Sequence, residues 1–492
     1  MMEEFSYQGW WWDTSEDEAS ENPHTAGTLS FSHEEGLRLE LLGVPSLEKG
    51  RGKDKPFYSP FTSPQPSYPI LWGRLSKGKL VTLLDCTTIR HAQSNWSDPT
   101  QSILALRCSW GYIGDVWLED AEETFDRVTV DYPGLLEWAG SGKGFKGAGW
   151  IREEGKLVRY PVDYHLPDPY VTTTSDYEIS LFKSMSASHS TKATWNEVLL
   201  RETARLGVRS TNALTTTVWL SHYVIPLGNL LSLAMDRPVY LLDLFVFPEV
   251  AIEQADGTVE TQKRPLKTVF SQIGDTSKEW KRRGNHGLLF SLADLEFTFD
   301  LLIEEWFQTY DKYKMACKLY FDSRHRPPPY LESKFLVLAQ TIEILHRIKF
   351  PTSSPPPLSK TEEERIQEVV QSAPQEHHQW LEKKLSRRGL SFRQRCEELF
   401  DYTSKVTAHL VGNPSKLGKL IANARNHYTH YSSQPTKEIA QGIELYWLTE
   451  ILDRTIACFL LNEAGLSPRK TEELFLRNRR FQNLRDKTLK LW

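Results

Sequence analysis

Ile421-Ala422-Asn423-Ala424-Arg425-Asn426-His427-Tyr428-Thr429-His430-Tyr431 is the stretch on which the reading of this chain turns. Leu417, Leu420, Ile421 and Ala424 fall at i, i+3, i+4 and i+7, the spacing of one buried helix face. Ser415 is a residue type that caps helices and predicts a start at Lys416. Ser432-Ser433-Gln434-Pro435 predicts the end. Four residues separate Arg425 from His430. On one continuous helix, residues five apart point about 140° apart. The two side chains therefore converge only if the helix ends or bends between them, or if a second subunit completes the site.

These residue types suit one chemistry. RNA cleaves itself when its 2′-OH loses a proton and the leaving 5′-oxygen gains one. A histidine that titrates near neutral pH suits either transfer. The phosphorane-like transition state gathers negative charge, and a guanidinium offers it a rigid fork of donors that stays protonated. One Arg and one His thus suffice for a metal-free cut, above all where two copies meet. From Tyr402 to Lys437 there is no Asp or Glu. Lys405, Lys416, Lys419, Arg425, Lys437, His409, His427 and His430 lie in that span, a local field suited to a phosphate backbone. The spacing alone is a weak pattern: Arg159 and His165 form a second Arg/His pair in the strand-rich half. An Arg and a His near a helix end also serve to satisfy its last carbonyls.

Working outward, 492 residues suggest two to three domains. The 39% hydrophobic and 25% charged content is an ordinary globular balance. A net charge of −5 argues against a basic coat for non-specific nucleic-acid binding and leaves room for a local groove. Five Cys without a C-x-x-C pair resemble neither a disulfide framework nor a zinc site, so a reducing cytoplasm is expected. The acidic start (Glu3, Glu4) shows no signal peptide, and no apolar run of about 18 residues predicts a membrane span.

The fold class expected is α+β and multidomain. Residues 1–270 read as a β-rich domain, a sandwich or barrel. Leu29 and Phe31 share a face, Leu37, Leu39 and Leu41 alternate with Arg38 and Glu40, and strands are predicted over 71–75, 80–85, 103–108, 127–131, 171–174 and 215–220. Many of the 16 Trp cluster in the first 140 residues. A helix over 226–235 and an apolar strand over 239–247 follow. The polar stretch 250–290 marks the domain boundary. Residues 290–480 read as an all-α bundle. Its predicted helices are 292 to about 321, capped by Ser291 and Asp294, then 330–348, 362–372, 375–385, 392–406, the Arg425 helix, and 436–462 with Ile439, Ile443, Trp447, Ile451 and Phe459 in the core. The basic tail from Pro468 reads as a solvated surface helix.

Two sets of motifs resemble a known family. Arg425-Asn426-His427-Tyr428-Thr429-His430 resembles the R-x(4–6)-H motif of the HEPN superfamily. Leu338-Ala339-Gln340-Thr341-Ile342-Glu343-Ile344-Leu345-His346-Arg347 resembles the earlier helix of its ApeA-like branch. Gly9-Trp10-Trp11-Trp12, Gly27–Phe31, Leu37–Gly43, and Trp72-Gly73 through Asp85 resemble the ApeA N-terminal domain. The resemblance implies an antiphage, abortive-infection protein whose HEPN domain is a metal-independent endoribonuclease. Such an enzyme leaves 2′,3′-cyclic phosphate and 5′-OH ends and needs no cofactor or metal. His430 would be the general acid or base, Arg425 would bind the scissile phosphate, and Asn426 would orient the His or contact RNA. Lys416, Lys419, His427 and Tyr428 would meet substrate, although Tyr428 falls near the apolar stripe. Glu343 and His346 would support the site from behind, or be a hydrogen-bonded couple of the core. The partners implied are RNA (tRNA among the candidates), a second copy or more of this chain through the helical domain, and a phage-derived trigger on the N-terminal domain, with no membrane. Two alternatives stand beside this: a non-catalytic sensor whose helical domain only dimerises, and a metallohydrolase built on His427, His430, His377 and His378.

Overall fold

The computed structural model describes residues 2–13, 25–43, 67–93, 102–189 (apart from 143, 150 and 160), 198–253, 258–272, 287–353, 359–386, 389–430 and 439–488. It divides into two compact units. The first is Met1–Gly284 with Phe290–Leu301, and the second is Asn285–Leu289 with Leu302–Trp492.

The first unit is built on β1 (Phe5–Asp13), β2 (Thr25–Ser32), β3 (Gly36–Leu42), β4 (Ser67–Leu75), β5 (Leu80–Gln93) and β6 (Ser102–Cys108). In the order β5-β4-β1-β2-β3-β6, with β6 pairing back on β5, they close a six-stranded antiparallel barrel. Every second residue fills it: Trp11, Leu29, Leu37, Leu39, Leu41, Leu71, Val81, Leu83, Leu104 and Leu106 have no exposed surface. Gly73 is required by this packing, because a Cβ there would stand 2.3 Å from the Trp11 ring.

β5 serves two sheets. Leu80–Leu84 pair with β7 (Trp110–Gly114), while Thr87–Gln93 pair with β6. Asp85, at φ 52°, sits at the switch, a left-handed conformation that Asp tolerates better than most residues. From β7 an open sheet continues through β8 (Thr124–Asp131), β9 (Tyr170–Thr173), β10 (Tyr177–His189), β11 (Val198–Thr215), β12 (Asp243–Val246) and β13 (Leu266–Phe270), in the order β7-β13-β12-β8-β11-β10-β9. Of the two forms expected, sandwich or barrel, the barrel is present, and an open sheet continues from it through one bent strand.

Some local expectations are corrected. Residues 216–220 are not strand: Thr216–Trp219 and a π-turn at Leu220–Val224 lead into helix α1 (Ile225–Ala234). The β-branched run favours strand locally, but tertiary bonds override it. The Trp219 indole donates to the Phe125 carbonyl at 3.0 Å, and the Tyr112 and Thr216 hydroxyls meet at 2.8 Å. The 239–247 strand shrinks to Asp243–Val246. β10 and the earlier part of β11 escaped the sequence reading because their sequence is Ser-, Thr- and charge-rich.

The second unit is helical: α2 (Phe299–Lys312, whose first turn belongs to the first unit), α3 (Lys314–His325), α4 (Leu331–Lys349), α5 (Lys360–Ser372), α6 (His378–Ser386), α7 (Phe392–Tyr402), α8 (Pro414–His430), α9 (Gly442–Glu463), α10 (Pro468–Arg477) and α11 (Arg479–Thr488). The helix expected over 292–321 is three pieces. The Ser291/Asp294 capping box opens only a 3-10 turn, and a break at Tyr313 separates α2 from α3. α9 is buried on all sides from Leu448 to Leu461, the mark of a central helix. Ile443, expected in its core, is 62% exposed because α9 begins only at Gly442. α4 packs against α3, α7, α8 and α9, and α8 lies on α4 and α7. No helix among the described residues is long and apolar enough to cross a membrane.

Candidate active site on helix α8

Asn413, not Ser415, caps α8: its side-chain oxygen accepts from the Lys416 N–H at 3.0 Å, and Pro414 opens the helix. Asn-Pro is a start signal, with a capping acceptor followed by a residue that lacks an N–H to satisfy. The Ser415 hydroxyl instead donates to Glu397 at 2.9 Å and accepts from Arg393 at 2.6 Å, tying α8 to α7. Gly418 allows the close approach, since a Cβ there would meet Glu397 Cγ at 3.1 Å. Leu417, Leu420, Ile421 and Ala424 are buried as their spacing requires.

The helix runs without interruption to His430. The expected end or bend before His430 does not occur, and the breaker at 432–435 lies outside the described residues. At about 100° per residue, Lys416, Lys419, Asn423, Asn426 and His430 fall within about 80° of one another on α8. Lys416, Lys419, Asn426 and His430 are all exposed. Arg425 stands about 140° from His430, at the edge of the buried face.

Arg425 points to other helices. Its Nη2 donates to Glu343 of α4 at 3.5 Å, its Nη1 donates to the Asn426 side-chain oxygen at 3.4 Å, and its guanidinium carbon lies 5.5 Å from the Phe392 ring centroid on α7. Glu343 also accepts from Arg347 at 2.7 Å. The structure thus brings Arg425, Asn426 and Glu343 together and leaves His430 apart. Phe392 was not anticipated. It is 33 residues from Arg425, and only the packing of α7 on α8 reveals it.

His346 does not join this group. It is fully buried, Nε2 donates to Glu398 at 2.9 Å, and Nδ1 accepts from Arg395 at 3.0 Å. Burial pushes its pKa below the ordinary histidine value, against the pull of Glu398. Burial alone would raise Glu398, but hydrogen bonds from Ser353 and His346 hold it below the usual carboxylate range. His346 is therefore a neutral core histidine. Tyr428 is anchored within the bundle: its hydroxyl donates to the Ala440 carbonyl at 3.0 Å and its ring meets Phe335 edge-on. His427 is half-buried with its ring edge-on to Tyr428.

The acid-free span is not acid-free in space. Glu343 faces Arg425, Glu397 faces Ser415, and Glu472 meets His409 at 2.7 Å. In the second Arg/His pair, His165 bonds to Asp163 on an exposed strand end. His427, His430, His377 and His378 are not assembled: the described residues hold no group of three or more His, Cys, Asp or Glu placed to share an ion. His378 instead bonds to the Ala373 carbonyl, and His377 pairs with Glu376.

Two family models match the chain: ApeA N-terminal domain 1 over residues 6–306 and Apea-like HEPN over residues 336–470. The chain belongs to the ApeA family. The first match alone covers more than half of the sequence, and the second runs from within α4 through α9 to the start of α10, including Glu343, Arg425 and His430. It is a family of antiphage-defence HEPN nucleases, and HEPN domains generally are ribonucleases. No curated protein and no solved structure gives a significant match.

Proposed function

We propose that the protein is a metal-independent endoribonuclease of antiphage defence, cutting RNA to 2′,3′-cyclic phosphate and 5′-OH ends. The observation that carries this reading is the Arg425/His430 pair on α8 of an Apea-like HEPN domain, with His430 exposed on the same helix face as Lys416 and Lys419. In this reading His430 moves the proton, Arg425 steadies the charge that develops on the phosphate, and the two lysines hold the RNA backbone. Because Arg425 and His430 diverge on an unbroken helix, the working site is assembled at a homodimer interface, Arg425 of one subunit with His430 of the other. Asn426 and Glu343 position the guanidinium. The β-rich unit receives the phage-derived trigger.

The divergence equally suits a second reading, a sensor whose helical domain only dimerises. One experiment separates them. Total RNA is incubated with the protein in EDTA, with and without phage lysate, alongside Arg425→Ala and His430→Ala. Cleavage that survives EDTA and vanishes in both variants supports the nuclease. No cleavage under any condition supports the sensor, and cleavage lost in EDTA points to metal.

A further inference from the structure

The open sheet of the β-rich unit carries a second cluster of unpaired charge. Glu178, Arg209 and Arg127 are mutual Cα partners across β10, β11 and β8, and Ser180, Gly207 and Thr129 form the row two residues along. The intervening Ile179, Val208 and Val128 are fully buried in the core, so both rows lie on the opposite, outer face. A cavity of about 220 Å³ opens there, walled also by Phe182 and Phe247. Gly207 is its floor: a Cβ would stand 3.0 Å from Ser180 Oγ and 3.4 Å from the Phe182 ring.

Arg127 lies over the Phe247 ring at 4.2 Å, yet its Nε is buried with no hydrogen-bond partner. Among the described residues, Arg127, Arg209 and Glu178 enter no ion pair and no side-chain hydrogen bond. Arg205, in the next row, differs in having a carboxylate within reach, Asp131 at 3.9 Å, although its Nε likewise makes no hydrogen bond. A buried donor without an acceptor is costly, and such groups mark places where a ligand or ion supplies the missing partner.

We propose that this cavity binds the phosphate group of a small ligand, either free phosphate or the phosphate of a nucleotide whose base lies against Phe182. Guanidinium forks match phosphate oxygens, and here two stand side by side with one carboxylate. Glu178 repels a second anion and accepts from a neighbouring hydroxyl or amino group. The volume is several times the roughly 30 Å³ share of one water and lies below the roughly 300–1,000 Å³ typical of drug-sized ligands, which suits a small molecule. The site lies in the β-rich unit and does not rest on the ribonuclease reading.

The test is calorimetric titration of the full chain at low salt with inorganic phosphate, AMP and adenosine. Phosphate or AMP binds and adenosine does not. Affinity falls at least about tenfold in Arg209→Ala, which removes an exposed side chain, and in Gly207→Val, which fills the floor but keeps both cations. The Arg425→Ala/His430→Ala double variant binds as wild type, which separates this cavity from α8. AMP at least tenfold tighter than phosphate assigns a nucleotide, and equal affinity assigns free phosphate. The proposal is overturned if neither anion binds at millimolar concentration, if adenosine binds as well as AMP, if Arg209→Ala binds as wild type, or if binding is lost in the α8 double variant.

Discussion

Glu343→Gln should tighten RNA binding. The carboxylate stands 3.5 Å from Arg425 and 2.7 Å from Arg347, so it neutralises the cation that a phosphate must engage. At 3.5 Å, Coulomb attraction between unit charges is about 1 kcal/mol in a water-like dielectric and about 5 kcal/mol at an effective dielectric of 20. Arg425 is about one-third exposed and Glu343 about one-fifth, so solvent screening selects the lower figure, about 1 kcal/mol. An RNA phosphate that displaces Glu343 gives up that attraction. The isosteric glutamine keeps an acceptor for the guanidinium but removes the charge, so the dissociation constant should fall about fivefold. Fluorescence anisotropy with a labelled single-stranded RNA reads this directly. Comparing His430→Ala with His430→Ala/Glu343→Gln keeps the RNA intact during the measurement. The gain should fade in high salt. Equal or weaker binding by the double variant at low salt would refute the idea that Glu343 competes with phosphate for Arg425.

Mixing Arg425→Ala with His430→Ala tests the shared site. Random pairing leaves half of the dimers mixed, each with one intact site, so activity should return to about a quarter of wild type; no recovery would mean that each subunit is self-sufficient or inert. His346 gives a pH signature. Its folded pKa lies below its unfolded value, near 6.5, so the unfolded chain takes up a proton that the folded chain refuses as pH drops below that point. Stability should therefore fall with pH below about 6.5 by at most roughly 1.4 kcal/mol per unit for this group, so the difference between the urea midpoints of wild type and His346→Gln should be constant above about pH 6.5 and change only below it, to the disadvantage of wild type. Gly73→Ala drives a methyl to 2.3 Å from the buried Trp11 ring and should cost about 1–3 kcal/mol, read as a lower thermal midpoint.

Several features of the fold were legible in local pattern. The alternation of Leu37, Leu39 and Leu41 fixed which face of β3 is buried, and Leu417, Leu420, Ile421 and Ala424 fixed the inner face of α8. These periods of two and of 3.6 are properties of consecutive residues, so no partner is needed to see them. β10 and β11 were not legible in this way. Their Ser- and Thr-rich residues gain a strand conformation only by pairing with each other and with β8. The cap of α8 was misplaced by two residues although Asn413-Pro414 states it plainly, because Ser415 looks equally suited until its hydroxyl is seen bonded to α7.

By itself, then, the sequence determined that a strand-rich half precedes a helical half, that α8 buries one face, and that Arg425 and His430 lie on that helix. Tertiary structure alone decided where those side chains point and what they meet. A run of residues without Asp or Glu reads as a positive field along the chain, yet Glu343 arrives from α4, 82 residues away, to meet Arg425. The physical reason is that a helix surface is defined by its neighbours. Charge and stacking act through space over a few ångströms, and the distances that matter to Arg425 are to Glu343 and Phe392, which the order of residues along the chain does not encode.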